Sequence, residues 1–136
     1  NNFGLNFRLS DVNAAIGRVQ LRKLHNYVKH RNHVANIYKQ ELGPLVELQQ
    51  YDEGKFLNNY FFFGILHPNR QKIIDHLLHH GVQIKTWTAV HQQPIWAGRN
   101  ITNAKEISDS IVLLPIYNRI QEAEVEYVID RIKEVI

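Results

Sequence analysis

With 136 residues, 44 % of them hydrophobic and 21 % charged, this sequence has the composition of a single globular domain, not of a disordered or fibrous protein. The absence of cysteine excludes a disulfide framework, a thiolate metal site and a thiol nucleophile from this segment, and no apolar run approaches the ~20 residues that span a bilayer. The net charge of +3 is unevenly spread: Arg8, Arg18, Arg22, Lys23, Lys29, Arg31 and Lys39 face only Asp11 within residues 1–40, while the end of the chain is acidic.

Ser10 and Asp11 form a helix start, a hydroxyl to accept from unpaired backbone N–H groups and a carboxylate at the positive end of the dipole. Val12, Ile16, Val19, Leu21, Leu24, Val28, Ala35, Tyr38 and Leu42 then recur at three- and four-residue steps. They predict one long helix, or two with a bend near His25, closed by Gly43 as cap and Pro44 as stop. Val46–Tyr51 reads as a short strand and Asn58–Leu66, with its Tyr60-Phe61-Phe62-Phe63 run, as a buried one. A helix with Ile73, Ile74, Leu77 and Leu78 on one face follows His67-Pro68-Asn69 and closes at Gly81.

Val82–Trp87 alternates as a third strand, and Thr88–Asn100 is an aperiodic loop containing Pro94 and Gly98. A short helix from Thr102 to about Ile111, an extended segment from Val112 to Tyr117 broken by Pro115, and a final helix complete the chain. In that helix Val125, Val128, Ile129, Ile132 and Val135 form one stripe. The expected fold class is α+β: a small three-stranded, mainly antiparallel sheet covered by helices, with a long N-terminal helix.

No Gly-rich phosphate loop, HExxH or GxSxG is present. His76, His79 and His80 have a spacing that can ligate a metal, yet no acidic residue stands at matching spacing on the same helix, and a plain surface helix is the favoured reading. His30 and His33 share a helix face but are flanked by Lys29 and Arg31, which repel a cation; no metal site is assigned to either group. His91 stands in the irregular loop with Gln92, Gln93, Trp87 and Trp96 near it, either lining a ligand pocket or packed on tryptophan as structure. The basic face of the first helix carries no interleaved aromatics, so nucleic-acid binding is disfavoured against a solvated surface.

The opening stretch Gly4-x-Asn6-Phe7-Arg8-Leu9-Ser10-Asp11-x-x-Ala14-Ala15-x-Gly17-x-x-Gln20-Leu21-x-Lys23-Leu24 resembles the signature of DegT/StrS sugar-nucleotide aminotransferases, pyridoxal-phosphate enzymes of fold type I. Collinear likenesses follow in Asn59–Phe63, in His91-Gln92-Gln93-Pro94-Ile95-Trp96, in Asn103-Ala104-x-x-Ile107-Ser108 and in Leu113-Leu114-Pro115-Ile116-Tyr117. The stretch Lys85–Ala89 departs from the family pattern, which leaves the identity of the substrate open.

The resemblance implies a C-terminal small domain of the fold type I architecture, residues 1–43 being the motif loop and linking helix and residues 44–136 the α+β domain proper. It implies a preceding large domain that carries the cofactor-anchoring lysine, and no catalytic residue in this chain. The lack of any Met and the start inside a motif agree with a piece of a longer protein. By the same resemblance Asn6 contacts the phosphate of pyridoxal 5'-phosphate across a homodimer, and Arg8, His91 and Trp87 contact a keto-sugar nucleotide. The whole protein would then be a cytoplasmic transferase with glutamate as amino donor, and the isolated fragment inactive. The rival class is a regulatory or scaffold protein that keeps the shape without the chemistry.

Overall fold

In a computed structural model, which describes residues 8–52, 54–85, 89–96, 98–99 and 101–136, the chain begins with one uninterrupted helix, α1 (Asp11–Leu42). The Ser10 hydroxyl accepts from the Asn13 N–H at 3.3 Å, and Asp11 lies in the first turn, where the dipole favours an anion. There is no break at His25, so the single helix is the alternative that forms. Gly43 ends it in a right-handed conformation, φ −53°, and the stop therefore comes from Pro44 and not from a left-handed glycine. At 1.5 Å per residue the helix is about 48 Å long. Its halves differ: Val34, Ala35, Tyr38 and Leu42 are fully buried, whereas Leu9, Val12, Ile16, Val19, Leu21 and Leu24 are exposed.

Strands β1 (Glu47–Leu48), β2 (Phe63–Leu66) and β3 (Ile111–Leu114) form an antiparallel sheet in the order β1-β2-β3. Opposite Phe63 stands Leu114 and opposite Ile65 stands Val112, so the pleat turns all four side chains to one face. That face packs with the end of α1, with α2 (Arg70–His79) and with α4 (Glu122–Lys133). Ile73, Ile74 and Leu77 enter from α2, and Val125, Val128, Ile129 and Ile132 from α4, with Val135 just beyond it. Each such side chain contributes roughly 1.5–3 kcal/mol on full burial. Tyr38 ties the layers together: its ring lies 5.1 Å from that of Phe63, and its hydroxyl donates to the Pro115 carbonyl at 3.0 Å.

The structure departs from the sequence reading in its strands. The aromatic strand is shorter than Asn58–Leu66 because the Asn58 and Asn59 side chains accept from the N–H groups of Tyr60 and Phe61, at 2.8 and 3.1 Å. These local bonds compete with the ladder, and Tyr60 is left at φ +43°. The third strand of the sheet is Ile111–Leu114; among the described residues of the expected strand Val82–Trp87, residues 82–84 lie in no ladder and Lys85 bridges to Leu113, while Thr86 and Trp87 lie outside the described residues. Gly81, at φ +75°, turns the chain out of α2, and the Val82 N–H is taken by the Leu77 carbonyl in a six-residue helix-ending turn. Of the expected strand Val46–Tyr51 only Glu47–Leu48 pairs.

On the other side of the chain, two short 3₁₀ turns, Val90–Gln92 and Pro94–Trp96, precede α3 (Thr102–Ser110), which runs directly into β3. Among the described residues, no helix is long and apolar enough to cross a membrane.

Candidate functional site

Of the residues singled out by sequence, Asn6 and Trp87 lie outside the described residues. Arg8 is exposed immediately before the Ser10 cap, and it makes no ion pair with Asp11 or any other described residue. The competing explanation for this guanidinium, a pairing with the first-turn carboxylate, is thus absent among the described residues. Arg8 precedes the exposed half of α1, in which Val12 and Ile16 are exposed, as is Leu9 beside it.

His91 occupies the first 3₁₀ turn and is half-buried, with a buried Nδ1 that finds no hydrogen-bond partner among the described residues. A ring nitrogen removed from water without a partner is costly, roughly 1–3 kcal/mol, which marks the position as one built for contact. The positive field around it is visible in Asp109, whose carboxyl is held below the usual carboxylate range. The hydrogen bond from Lys105 is the main cause, and His91 and Arg70 add to it. Further along the loop the Arg99 guanidinium lies over the Trp96 ring at 5.3 Å. Arg70 itself is fixed by donating Nε–H to the Ile111 carbonyl at 2.8 Å.

A groove of about 720 Å³ opens beside β3, lined among others by Phe61, Phe62, Lys85, Leu113, Tyr117 and Tyr127. The Lys85 ammonium sits 5.5 Å over the Phe62 ring. The Tyr117 hydroxyl donates to Glu124 at 3.3 Å; partial desolvation and then the Glu124 charge raise its pKa. Neither Arg8 nor His91 lines this groove. Lys85, Tyr117 and Tyr127 were not singled out by the sequence as site residues. The usable signal was that two segments of family-like sequence, Asn59–Phe63 and Leu113–Tyr117, are far apart in the chain yet meet here.

The described residues do not compose an anchoring site for a pyridine aldehyde phosphate. Lys39 is engaged between the Tyr51 and Tyr60 rings at 5.3 and 5.5 Å. Lys55, Lys105 and Lys133 pair with Asp52, Asp109 and Glu41, while Lys72 donates to the Val135 carbonyl. Lys85 stands over the Phe62 ring in the lining of the groove.

The DegT/DnrJ/EryC1/StrS aminotransferase family pattern matches residues 1–133. Among curated relatives, the dTDP-4-dehydro-2,3,6-trideoxy-D-glucose 4-aminotransferase of Saccharopolyspora spinosa is 29 % identical over 93 % of this chain and 34 % of its own length. The dTDP-4-amino-4,6-dideoxy-D-glucose transaminase of Shigella dysenteriae is 23 % identical over 99 % of this chain and 40 % of its own. A family aminotransferase from Brucella abortus superposes on 98 % of the chain with a TM-score of 0.86 at 20 % identity, matching 38 % of that structure. Sugar aminotransferase CalS13 from Micromonospora echinospora gives a TM-score of 0.86 at 18 % identity, over 97 % of this chain and 37 % of that one. The fold is therefore that of the C-terminal part of these chains, and this sequence spans little more than a third of the relatives it matches. It belongs to the DegT/DnrJ/EryC1/StrS aminotransferase family.

Proposed function

We propose that the protein to which these residues belong is a pyridoxal-phosphate-dependent aminotransferase of the cytoplasm, working as a homodimer, that transfers an amino group from glutamate to a keto-sugar nucleotide. The cofactor, when bound, supplies an electron sink for the amino group's α-carbon. The described residues of this chain contribute contacts and not the covalent centre. Residues 1–43 form the link to a large domain and residues 44–136 the small domain, with the last turns of α1 packed into its core.

The observation that carries this reading is Arg8, an exposed guanidinium with no partner among the described residues, at the tip of a helix whose first half presents apolar side chains to solvent. A planar fork of donors suits a nucleotide phosphate or a sugar oxygen, and the apolar stripe suits the large domain. His91, with its unsatisfied Nδ1, is assigned to the sugar-nucleotide side together with Trp87, and Asn6 to the cofactor phosphate.

The test uses the intact protein with L-glutamate and a panel of nucleotide-linked 4-keto and 3-keto sugars, following 2-oxoglutarate release and the mass of the aminated product. Arg8→Ala raises KM for the sugar nucleotide by roughly 10- to 100-fold, the equivalent of one charge-assisted hydrogen bond, with a smaller change in kcat. Absence of 2-oxoglutarate with every sugar in the panel, or an Arg8→Ala enzyme with unchanged KM, contradicts the reading. This chain alone, lacking an anchoring lysine, is expected not to transaminate.

A further inference from the structure

We propose that His76, His80 and Glu134 form a site for one divalent late-transition metal ion, zinc in type, at the junction of the C-terminal ends of α2 and α4. The inference does not rest on the aminotransferase reading.

His76 lies in the last turn of α2 and His80 caps its end, four residues on and so on the same face; their rings lie 4.2 Å apart between centroids, tilted by 43°. The acidic ligand that sequence spacing could not supply comes from another helix. Glu134, at the end of α4, brings its Oε2 to 2.9 Å from His76 Nε2. One ligand atom from each of the three residues lies within 4.8 Å of the others. A zinc ion with bonds of ~2.0–2.2 Å sets its ligands roughly 3.4 Å apart, so the 2.9 Å His76–Glu134 pair opens slightly while any wider separation closes, changes that side-chain torsions accommodate.

The surroundings prepare the ligands. His80 Nδ1 lies 2.8 Å from the His76 carbonyl, an acceptor, so Nδ1 carries the proton and Nε2 keeps its lone pair. Donation of one ring N–H to a backbone carbonyl is the arrangement that orients metal-binding histidines. Glu134 is oriented in the same way: its Oε1 takes the Arg131 guanidinium at 2.8 Å, which leaves Oε2 toward the imidazoles. His76 and Glu134 keep 23 % and 40 % of their side-chain surface in contact with solvent, so the remaining coordination position is open to water. Two imidazoles and one carboxylate suit zinc, nickel or copper and not magnesium or calcium. Arg131 and Lys72, which donates to the Val135 carbonyl at 3.2 Å, oppose a cation and moderate its affinity.

A bound ion would cross-link α2 to α4, two of the helices on the buried face of the sheet, beside the groove that His80 also lines. The test is calorimetric titration of Zn²⁺ into the chelator-treated full chain, with thermal unfolding at matched metal concentrations. Expected are one ion per chain, a melting temperature raised by several degrees under saturation, and at least tenfold weaker binding in each of His76→Gln, His80→Gln and Glu134→Gln. His79→Gln, an exposed neighbour outside the cluster, keeps wild-type affinity. Circular dichroism checks that each variant is folded. No saturable binding by the wild-type chain, or binding of wild-type strength in the three ligand variants, overturns the proposal.

Discussion

Replacing Tyr38 with Phe removes a single oxygen from the centre of the fold and leaves the ring in place. That oxygen is completely buried and donates to the Pro115 carbonyl just after β3, so the variant leaves a carbonyl without its donor. The cost is about 1–3 kcal/mol, with no packing loss to add. At ~2.1 cal/mol/K per residue, unfolding a chain of this length carries an entropy of about 0.29 kcal/mol/K, and a loss of about 1.5 kcal/mol lowers the melting temperature by roughly 5 °C. A second signature lies in alkali. Burial, and then the charge of Tyr117, push the Tyr38 phenol well above its ordinary value of 10.0. The unfolded chain releases this proton near pH 10 and the native chain holds it, so stability from this group is intact below pH 10 and falls as pH rises toward the folded value. One such group gives a limiting slope of about 1.4 kcal/mol per pH unit. Tyr51 and Tyr117, also raised, are common to both proteins and cancel in the difference. Thermal unfolding of wild type and Tyr38→Phe from pH 7 to 11 should therefore show a gap at neutral pH that closes above pH 10. An absent gap at pH 7, or one of constant size throughout, refutes the reasoning.

Gly81→Ala places a Cβ on a residue at φ +75°, where nothing within 4 Å obstructs it, so only backbone strain acts; the expected loss is about 1 kcal/mol, read as a melting temperature lower by about 3 °C. A variant as stable as wild type would show that the helix ends without that conformation. In Glu124→Gln the Gln121 N–H loses the charge of its 2.8 Å acceptor, and the Tyr117 phenol moves back toward its ordinary value. Ultraviolet titration of phenolate formation measures that shift, and an unchanged curve removes Glu124 as its cause.

The helices were legible because their signals are local. The Ser10 cap, the Gly81 turn and the Val125-Val128-Ile129-Ile132 stripe each lie within a few residues of what they specify. The strands were not, because a strand is defined by a partner. Val82–Trp87 and Val112–Tyr117 both read as extended, and nothing in either says which joins β2. The choice follows from Gly81 directing residues 82–84 out of the helix while Ile111 enters the ladder directly from α3. Asn58 and Asn59 carried a readable warning, as residues that turn the backbone through their own side chains, which the adjoining run of aromatics outweighed. Arg8 was singled out through family likeness, and His91 through that likeness and the polar and aromatic residues near it in its loop. The groove between Phe62 and Tyr117, and the acidic partner that Glu134 offers His76, join segments with more than 50 residues between them, and no spacing rule reaches that far.

The position of Arg8 is a mechanical question before it is a chemical one. The fully buried side chains of α1 begin at Val34, and one turn earlier His30 lies 3.1 Å from the Ile120 carbonyl and Asn32 donates to the Asn58 carbonyl at 2.8 Å; from His30 to Asp11 the helix extends about 29 Å at 1.5 Å per residue. A tilt of about 5° at that root displaces the tip by about 2.5 Å, the difference between a hydrogen bond and none. The small domain's own packing cannot supply the needed precision, and the first half of α1 gains nothing from the core to hold it straight. What can supply it is the exposed stripe of Leu9, Val12, Ile16 and Val19, four apolar side chains that follow Arg8 at helical spacing. A surface seated on that stripe fixes the helix close to its tip, where the lever arm is short. In the proposed enzyme the residues that place Arg8 are therefore these neighbours on α1 and the surface covering them, while the buried core sets where the rest of the small domain stands.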